Sequence, residues 1–269
     1  MTTGARGGRG WLRTMALGAL ALSALAPLLV LVWRASAREW FWPTLVPGTL
    51  SLDAWRALLA PGGGIAAALG TSAGLAIACG VLACIVGLPV GRALSQLTGR
   101  GRHVGAALVF LPVAAPPVAL GVGVQVLMIQ LGLAGTAPGV LAAHLVPAVG
   151  YLALYFLGVF TSYDARVEEA ARTLGAGRTR TFWRVTVPIL RRPILEAIAL
   201  GFLVSWAQVP LTLLVGGGAV RTLPVELLAF IDAGQDQYAA AAAIVLTVPA
   251  LAAVSLFVLA ARRTSVVAI

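Results

Sequence analysis

Stretches of about 20 or more residues without a charge recur along the chain, each closed by arginine or by a Gly/Pro break. At 1.5 Å per residue, a helix of that length crosses the roughly 30 Å hydrocarbon core of a bilayer. The first such span is Thr14 to Trp33, between Arg13 and Arg34, and the second is Ile65 to Val90, between the break Pro61-Gly62-Gly63-Gly64 and Arg92. From His103 to Tyr163 no residue is formally charged, which is too long for one crossing. The stretch Gly132 to Gly139 divides it into a third span, Val104 to Leu131, and a fourth, Val140 to Phe160. The fifth runs from Ala197 to Val215 and the sixth from Tyr238 to Ala261, ahead of Arg262 and Arg263. The pattern predicts an all-α membrane protein of six transmembrane helices, with residues 1–269 forming one transmembrane domain.

Six spans put both termini on one side, and the arginines choose the side. Fifteen lie at the N-terminus, after the second span, in the loop 161–192 and at the C-terminus, against four (Arg34, Arg38, Arg56, Arg221) on the other face. This positive-inside bias predicts cytoplasmic termini and accounts for the net charge of +10 without nucleic acid as a partner. With 60% apolar and 10% charged residues, a water-soluble globule is excluded and the lipid bilayer is the surrounding phase. The 19 basic residues are all arginine, so the chain lacks the lysine that a Walker A loop places on nucleotide phosphates. Two cysteines and two histidines support neither a disulfide framework nor a four-ligand zinc site, and no cofactor or metal is expected. Arg-rich residues before an apolar run, then Ala35-Ser36-Ala37, resemble a signal peptide; the run is longer than a signal core, so an uncleaved first span is expected.

Between the first two spans, Ser51 can cap a short interfacial helix with Leu52, Trp55, Leu58 and Leu59 on one face and Asp53 and Arg56 on another. Gly70-Thr71-Ser72-Ala73-Gly74 matches the Gly-x-Ser-x-Gly nucleophile pattern, but it lies within an apolar helix instead of a strand-to-helix turn. His103 or His144 would have to act as base, so a close helix contact through small residues is the preferred reading of Ser72. Cys79 and Cys84 face different ways on a helix and read as small apolar fillers, and His144 reads as a helix–helix hydrogen-bonding residue. Ala239 to Ala243 reads as a helix-packing surface. In Leu111-Pro112-Val113-Ala114-Ala115-Pro116-Pro117 three prolines must kink or unwind the third span, either for packing or to line a path. In the fifth span Trp206 and Gln208 need polar partners, which another helix or a solute can supply.

The loop 161–192 carries the most specific pattern. Glu169-Ala170-Ala171 is followed by Gly175 and then by Val185-Thr186-Val187-Pro188. The spacing predicts a short helix, a turn and a second helix: Glu168 and Arg172 form an i,i+4 pair, Ala170 and Ala171 give a flat face, Gly175 permits a left-handed turn, and Pro188 opens the next helical segment.

These residues resemble the EAA signature of inner-membrane permease subunits of ATP-binding-cassette importers, with valines where the family more often has isoleucine and leucine. Gly87-Leu88-Pro89-Val90-Gly91-Arg92, Leu111 to Gly121 and Arg221-Thr222-Leu223-Pro224 extend the similarity, most of all to the polyamine, thiamine, iron(III) and sulfate or molybdate branch. The resemblance implies the type I importer transmembrane domain (MetI-like). It also implies a coupling helix, with Glu168, Glu169, Ala170, Ala171, Gly175 and Pro188 as the ATPase-coupling residues. Ser72, Pro116, Pro117, Gln125, Trp206 and Gln208 are then candidates for the translocation path. The implied partners are a cytosolic ATPase dimer, a second permease subunit and an extracytoplasmic substrate-binding protein. The chain itself would perform no bond chemistry. Two rivals from other classes are a six-span serine hydrolase using Ser72 and a secondary carrier. The carrier should have carboxylates inside the membrane, yet Glu196, at a cytoplasmic edge, is the acid nearest a span.

Overall fold

The computed structural model describes residues 5–38, 40, 43–44, 46–60 and 64–262, with Pro61 to Gly63 and Arg263 outside them. The helices in chain order are α1 (Ala5–Ala35), α2 (Asp53–Leu59), α3 (Gly64–Gln96), α4 (Gly99–Ala114), α5 (Pro117–Gln130), α6 (Ala137–Thr161), α7 (Arg166–Thr173), α8 (Arg178–Thr181), α9 (Val187–Ile189), α10 (Arg191–Trp206), α11 (Pro210–Gly216), α12 (Leu223–Asp232) and α13 (Asp236–Arg262). A π-helical turn, Phe182–Thr186, joins α8 to α9, and strands β1 (Ala37–Arg38) and β2 (Thr49–Leu50) pair antiparallel. Four helices are long and apolar enough to cross a membrane, and two bent pairs, α4 with α5 and α10 with α11, bring the number to six if each pair is one crossing. Those six correspond to the windows read from the sequence.

The chain divides into two compact units, Ala67–Val225 with the described residues from Val248, and Glu226–Thr247 with those up to Ala66. In the latter unit α1 presents leucines outward along its length. Its C-terminal carbonyls would otherwise lack partners. Gln237 Nε2 donates to the Ala35 carbonyl oxygen (3.2 Å), while Arg34 pairs with Asp236 and stacks on Trp40. Ser51 Oγ does accept the Asp53 N–H (3.1 Å), but from one position before the N-cap of α2, which is Leu52. Asp53 and Arg56 pair at 3.6 Å, and Leu58 is buried, but Leu52 is exposed, so the apolar face is narrower than its spacing suggested. The Leu59 side chain lies outside the description. Ala239 to Ala242 are buried, as a packing surface requires.

The larger unit is organised by glycines on α3. A Cβ on Gly80 would stand 3.0 Å from the Phe202 amide nitrogen of α10, one on Gly87 2.8 Å from the Leu152 Cβ of α6, and one on Gly91 2.6 Å from the Ala153 carbonyl oxygen. The backbones therefore approach closely, with Cys79, Cys84, Leu88, Leu152 and Phe156 filling the common core. Both cysteines are buried and unpaired, as fillers should be. Gly70 and Gly74 are different: nothing lies within 4 Å of a Cβ at either. The close backbone contact expected around Ser72 is thus made about two to five turns further along the helix.

The break in the third span follows from two consecutive prolines. A residue before proline is pushed out of the helical region, and Ala115 (ψ 139°) and Pro116 (ψ 128°) are both extended, turning α5 by 93° from α4. The fifth span also breaks, at Ala207 to Val209 ahead of Pro210, with a bend of 64°. No break was expected there.

Gly91→Val is expected to force α3 from α6 and lower the melting temperature of the detergent-purified protein, by an overpacking cost of about 1–3 kcal/mol. Gly74→Ala, in open space, should leave it unchanged. Equal melting of the two variants would contradict the packing described.

Candidate functional site

Asp164 starts α7 by accepting the Arg166 N–H at its Oδ1 (3.0 Å), and Glu168 and Glu169 occupy the first turn, where the helix dipole favours acids. Glu168 then turns inward. Its side chain is 5% exposed, and its Oε2 accepts from Arg92 Nη2 at the end of α3 (2.6 Å). Its Oε1 accepts from Thr186 (2.8 Å) and Tyr163 (3.1 Å). The expected partner Arg172 is also present, at the longer distance of 3.7 Å. Burial pushes the Glu168 carboxyl up, but the hydrogen bonds from Arg92 and Thr186, the Arg92 charge and the Tyr163 hydroxyl outweigh it, so its pKa lies below the ordinary glutamate value. Burial, with the neighbouring Glu168 charge, raises that of Tyr163, which keeps the phenol protonated as a donor. Arg92 also lies over the Phe160 ring, 5.5 Å from its centre. Glu168 therefore anchors the loop to its own subunit and presents no carboxylate to the outside.

The outward face is left to others. Glu169, Ala170, Gly175 and Pro188 are exposed and Ala171 is half-buried, while Leu174 is 89% and Trp183 64% exposed. Gly175 has φ +85° and ends α7: its N–H bonds the Arg172 carbonyl (2.9 Å) and the Ala176 N–H that of Ala171 (3.1 Å), a Schellman closure. Pro188 is the second residue of α9, as expected of a proline that opens a helical segment, although the π-helical turn Phe182–Thr186 leads into it without a break. In a regular helix its ring would clash with the carbonyl of residue 184, and the wider π-turn lies directly before it.

A second polar cluster lies where the fifth span breaks. His144, in α6, meets Ser205 Oγ of α10 through Nδ1 (2.8 Å) and Thr212 Oγ1 of α11 through Nε2 (3.0 Å). Thr212 spends its own proton on the Gln208 carbonyl (2.8 Å). Its oxygen must then accept from Nε2–H, which leaves Nδ1 to accept from Ser205. One imidazole thus ties the two halves of the bent helix. Ser72 accepts the Leu223 N–H at the start of α12 (2.8 Å) and lines, with Trp206, Gln208 and Thr222, a small cavity beside His144. Pro116 and Pro117 are exposed at the other bend, and Gln125 is half-buried in α5; the cavity brings Ser72, Trp206 and Gln208 together but not these three.

The hydrolase reading of Ser72 has no support in this geometry. The hydroxyl sits mid-helix as a helix-capping acceptor, and both nitrogens of His144 are engaged elsewhere. Sequence reasoning also missed Arg92, Tyr163, Thr186, Thr212 and Thr222 as members of these clusters. Arg92, Thr186 and Thr222 stood in stretches already singled out, Gly87 to Arg92, Val185 to Pro188 and Arg221 to Pro224; Tyr163 and Thr212 carried no local signal.

The family described as "Binding-protein-dependent transport system inner membrane component" matches residues 83–266, about two thirds of the chain. A probable molybdenum ABC transporter permease protein of Haloferax volcanii is 32% identical over 168 residues, 58% of this chain and 61% of that protein. A putative 2-aminoethylphosphonate transport system permease protein of Salmonella typhimurium is 28% identical over 232 residues, 82% of each. Among the first curated relatives the chain spans between about a quarter and three fifths of their length. The crystal structure of a bacterial ABC transporter involved in the import of the acidic polysaccharide alginate contains a chain that matches with a TM-score of 0.70 at 20% identity, covering 95% of this chain and 97% of that one. The fold is therefore that of an ABC importer's membrane domain.

Arg92→Ala should strand a buried carboxylate and cost about 3 kcal/mol. It should also raise hydrogen exchange in residues 166–173. Adding Glu168→Gln to that variant removes the stranded charge and should recover part of the protection. Unchanged exchange in Arg92→Ala would show that the pair does not hold the loop.

Proposed function

The chain belongs to the binding-protein-dependent inner-membrane transport components, and from that premise we propose that it is the permease subunit of an ATP-binding-cassette importer. Its spans form half of a pathway completed by a second copy or a sister chain, and a binding protein delivers the solute on the outer side. ATP hydrolysis belongs to a separate cytosolic ATPase dimer. Closure of that dimer moves the loops 161–192, and the permeases rock between inward- and outward-facing states. The arginine asymmetry supports cytoplasmic termini for this single domain of residues 1–269.

The observation that carries the coupling role is the division of labour on α7. Glu168 is tied inward to Arg92, while Ala170, Glu169 and the exposed Leu174 just before Gly175 offer a flat outer face with charges beside it. That arrangement suits insertion into a partner's groove without loosening the loop from its own spans. The names of the relatives point to different solutes, molybdenum for the Haloferax protein and 2-aminoethylphosphonate for the Salmonella one. The binding protein makes the main selection, and the pathway's own polar groups act after it.

Ala170→Glu should block close approach of the ATPase by volume and unpaired charge. Gly175→Val meets no neighbour within 4 Å, so its effect should come from the positive φ alone, about 1–2 kcal/mol of local strain that misdirects the helix end. Both variants should insert normally yet lose solute-stimulated ATP hydrolysis and release the ATPase during purification. Parental transport with the ATPase retained would refute the docking role. Orientation has its own measure: a cysteine at Thr179, in a background without Cys79 and Cys84, should react only from the cytoplasmic side. Labelling in intact cells by an impermeant reagent would reverse the topology.

A further inference from the structure

The helical run that follows the Gly175 turn has a face that neither the fold nor the docking of α7 uses. From Arg178 to Leu195 the chain contains five arginines and no acid. One side of the run is buried: Thr181, Thr186, whose hydroxyl donates to Glu168, and Leu190. Helical hydrogen bonds continue through Leu190, from its N–H to the Thr186 carbonyl (2.9 Å) and from the Ile194 N–H to its own carbonyl (2.8 Å). Residues four and seven apart therefore share a side. Arg180, Arg184, Arg191 and Leu195 have that spacing and are all exposed, with the exposed Trp183 beside them. The Trp183 ring meets Phe182 edge-on, 5.2 Å between ring centres, which holds it on the surface. Among the described residues no ion pair involves Arg180, Arg184 or Arg191.

We propose that Arg184 and Arg191, with Arg180 and Trp183 beside them, bind the phosphate headgroup of an anionic phospholipid of the cytoplasmic leaflet, whose chains run along Leu195. The inference rests on the cytoplasmic placement of the loop 161–192 and goes beyond the permease reading. Charge selects the occupant, because a basic stripe without acids attracts an anionic membrane surface. Continuity selects it too: Leu195 belongs to α10, the first half of the fifth span, so the stripe leads from the apolar surface of a span to its cytoplasmic edge. At that edge an indole is at home, its ring towards the tails and its N–H towards the headgroups. The planar guanidinium fork matches phosphate oxygens. Two helical turns, about 10 Å, separate Arg184 from Arg191, a gap that two long side chains close by converging on one phosphate. The face offered for docking by α7 is of another kind, small and acidic at Ala170 and Glu169.

The test uses the transporter purified in neutral detergent with its ATPase and any sister permease, and follows its melting temperature as phosphatidylglycerol, phosphatidylcholine or soluble glycerol 3-phosphate is added. Phosphatidylglycerol should raise the melting temperature and the other two should not. In the double variant Arg184→Gln with Arg191→Gln, the phosphatidylglycerol concentration that gives half of the effect should rise about thirtyfold, a factor of about five for each arginine. Arg184→Lys with Arg191→Lys keeps the charge and should recover most of the affinity. Without lipid both variants should melt as the parent does and keep the ATPase, since these side chains are exposed. An unchanged phosphatidylglycerol response in the glutamine variant overturns the site. An equal response to glycerol 3-phosphate overturns the lipid as its occupant in favour of free phosphate. Loss of the ATPase from the glutamine variant, with the lipid response unchanged, gives the face to the ATPase instead. A parent that retains no ATPase yet answers to phosphatidylglycerol removes the permease reading and supports the lipid site. The leaflet is read separately: labelling of a Thr179 cysteine from outside overturns this proposal together with the orientation, whereas cytoplasmic labelling with no lipid response overturns this proposal alone.

Discussion

Helices in a bilayer gain little by hiding apolar side chains from one another, because lipid tails are as apolar as leucine; association depends on close approach and on polar groups that find partners. On α3 that approach is made at Gly80, Gly87 and Gly91, and from the other side at Gly201, where a Cβ would stand 2.8 Å from the Gly80 Cα. The rest of the larger unit follows from those contacts. With α3 so close to α6, Arg92 is brought over Phe160 and within reach of Glu168, 76 residues away in sequence. Without the glycines the arginine would have no acid to meet.

The two bends raise a second problem, since backbone groups freed from a helix must find partners where there is no water. At Ala115 the N–H still reaches the Leu111 carbonyl, so the turn α4 to α5 loses few bonds. At the fifth span the answer lies largely in side chains. Thr212 donates to the Gln208 carbonyl inside the break, and His144 joins both flanks. The imidazole, read from sequence as a helix–helix hydrogen-bonding group, does more than cross-link two helices, because it sets the angle between two halves of one.

Spans, loop and turn were legible because each depends on local chemistry. A charge-free window needs no tertiary information to be recognised, and a glycine after a short charged helix signals its left-handed end. The Pro116-Pro117 break was equally local, since two successive residues are pushed from the helical region. Pro210 offered no such signal: Pro89, Pro147 and Pro249 sit inside unbroken helices, so a single proline in an apolar stretch does not announce a bend. The glycines illustrate the same limit. Gly70 and Gly74 looked as suited to packing as Gly87 and Gly91, and only the position of α6 decides which face is used. The surroundings of Glu168 show the same limit, because its i,i+4 partner is visible locally whereas Arg92 is brought to it by the fold.

Both clusters share α3. Ser72 lies near its start and Arg92 near its end, 20 residues apart on one continuous helix, or about 30 Å. A helix packed through bare backbone against α6 and α10 has little freedom to bend between these points, because any local shift brings main-chain atoms into collision. Displacement of the loop at Glu168 would pull on Arg92, and α3 would respond as a rod. Its other end carries the Ser72 hydroxyl that fixes the first N–H of α12 beside Thr222. The geometry thus provides a mechanical link between the loop 161–192 and the polar cavity that requires no chain of rearranging side chains. It also explains why a buried ion pair, which adds little stability over an apolar pair of equal volume, has a use here: it attaches the loop to a helix whose other end lines the cavity.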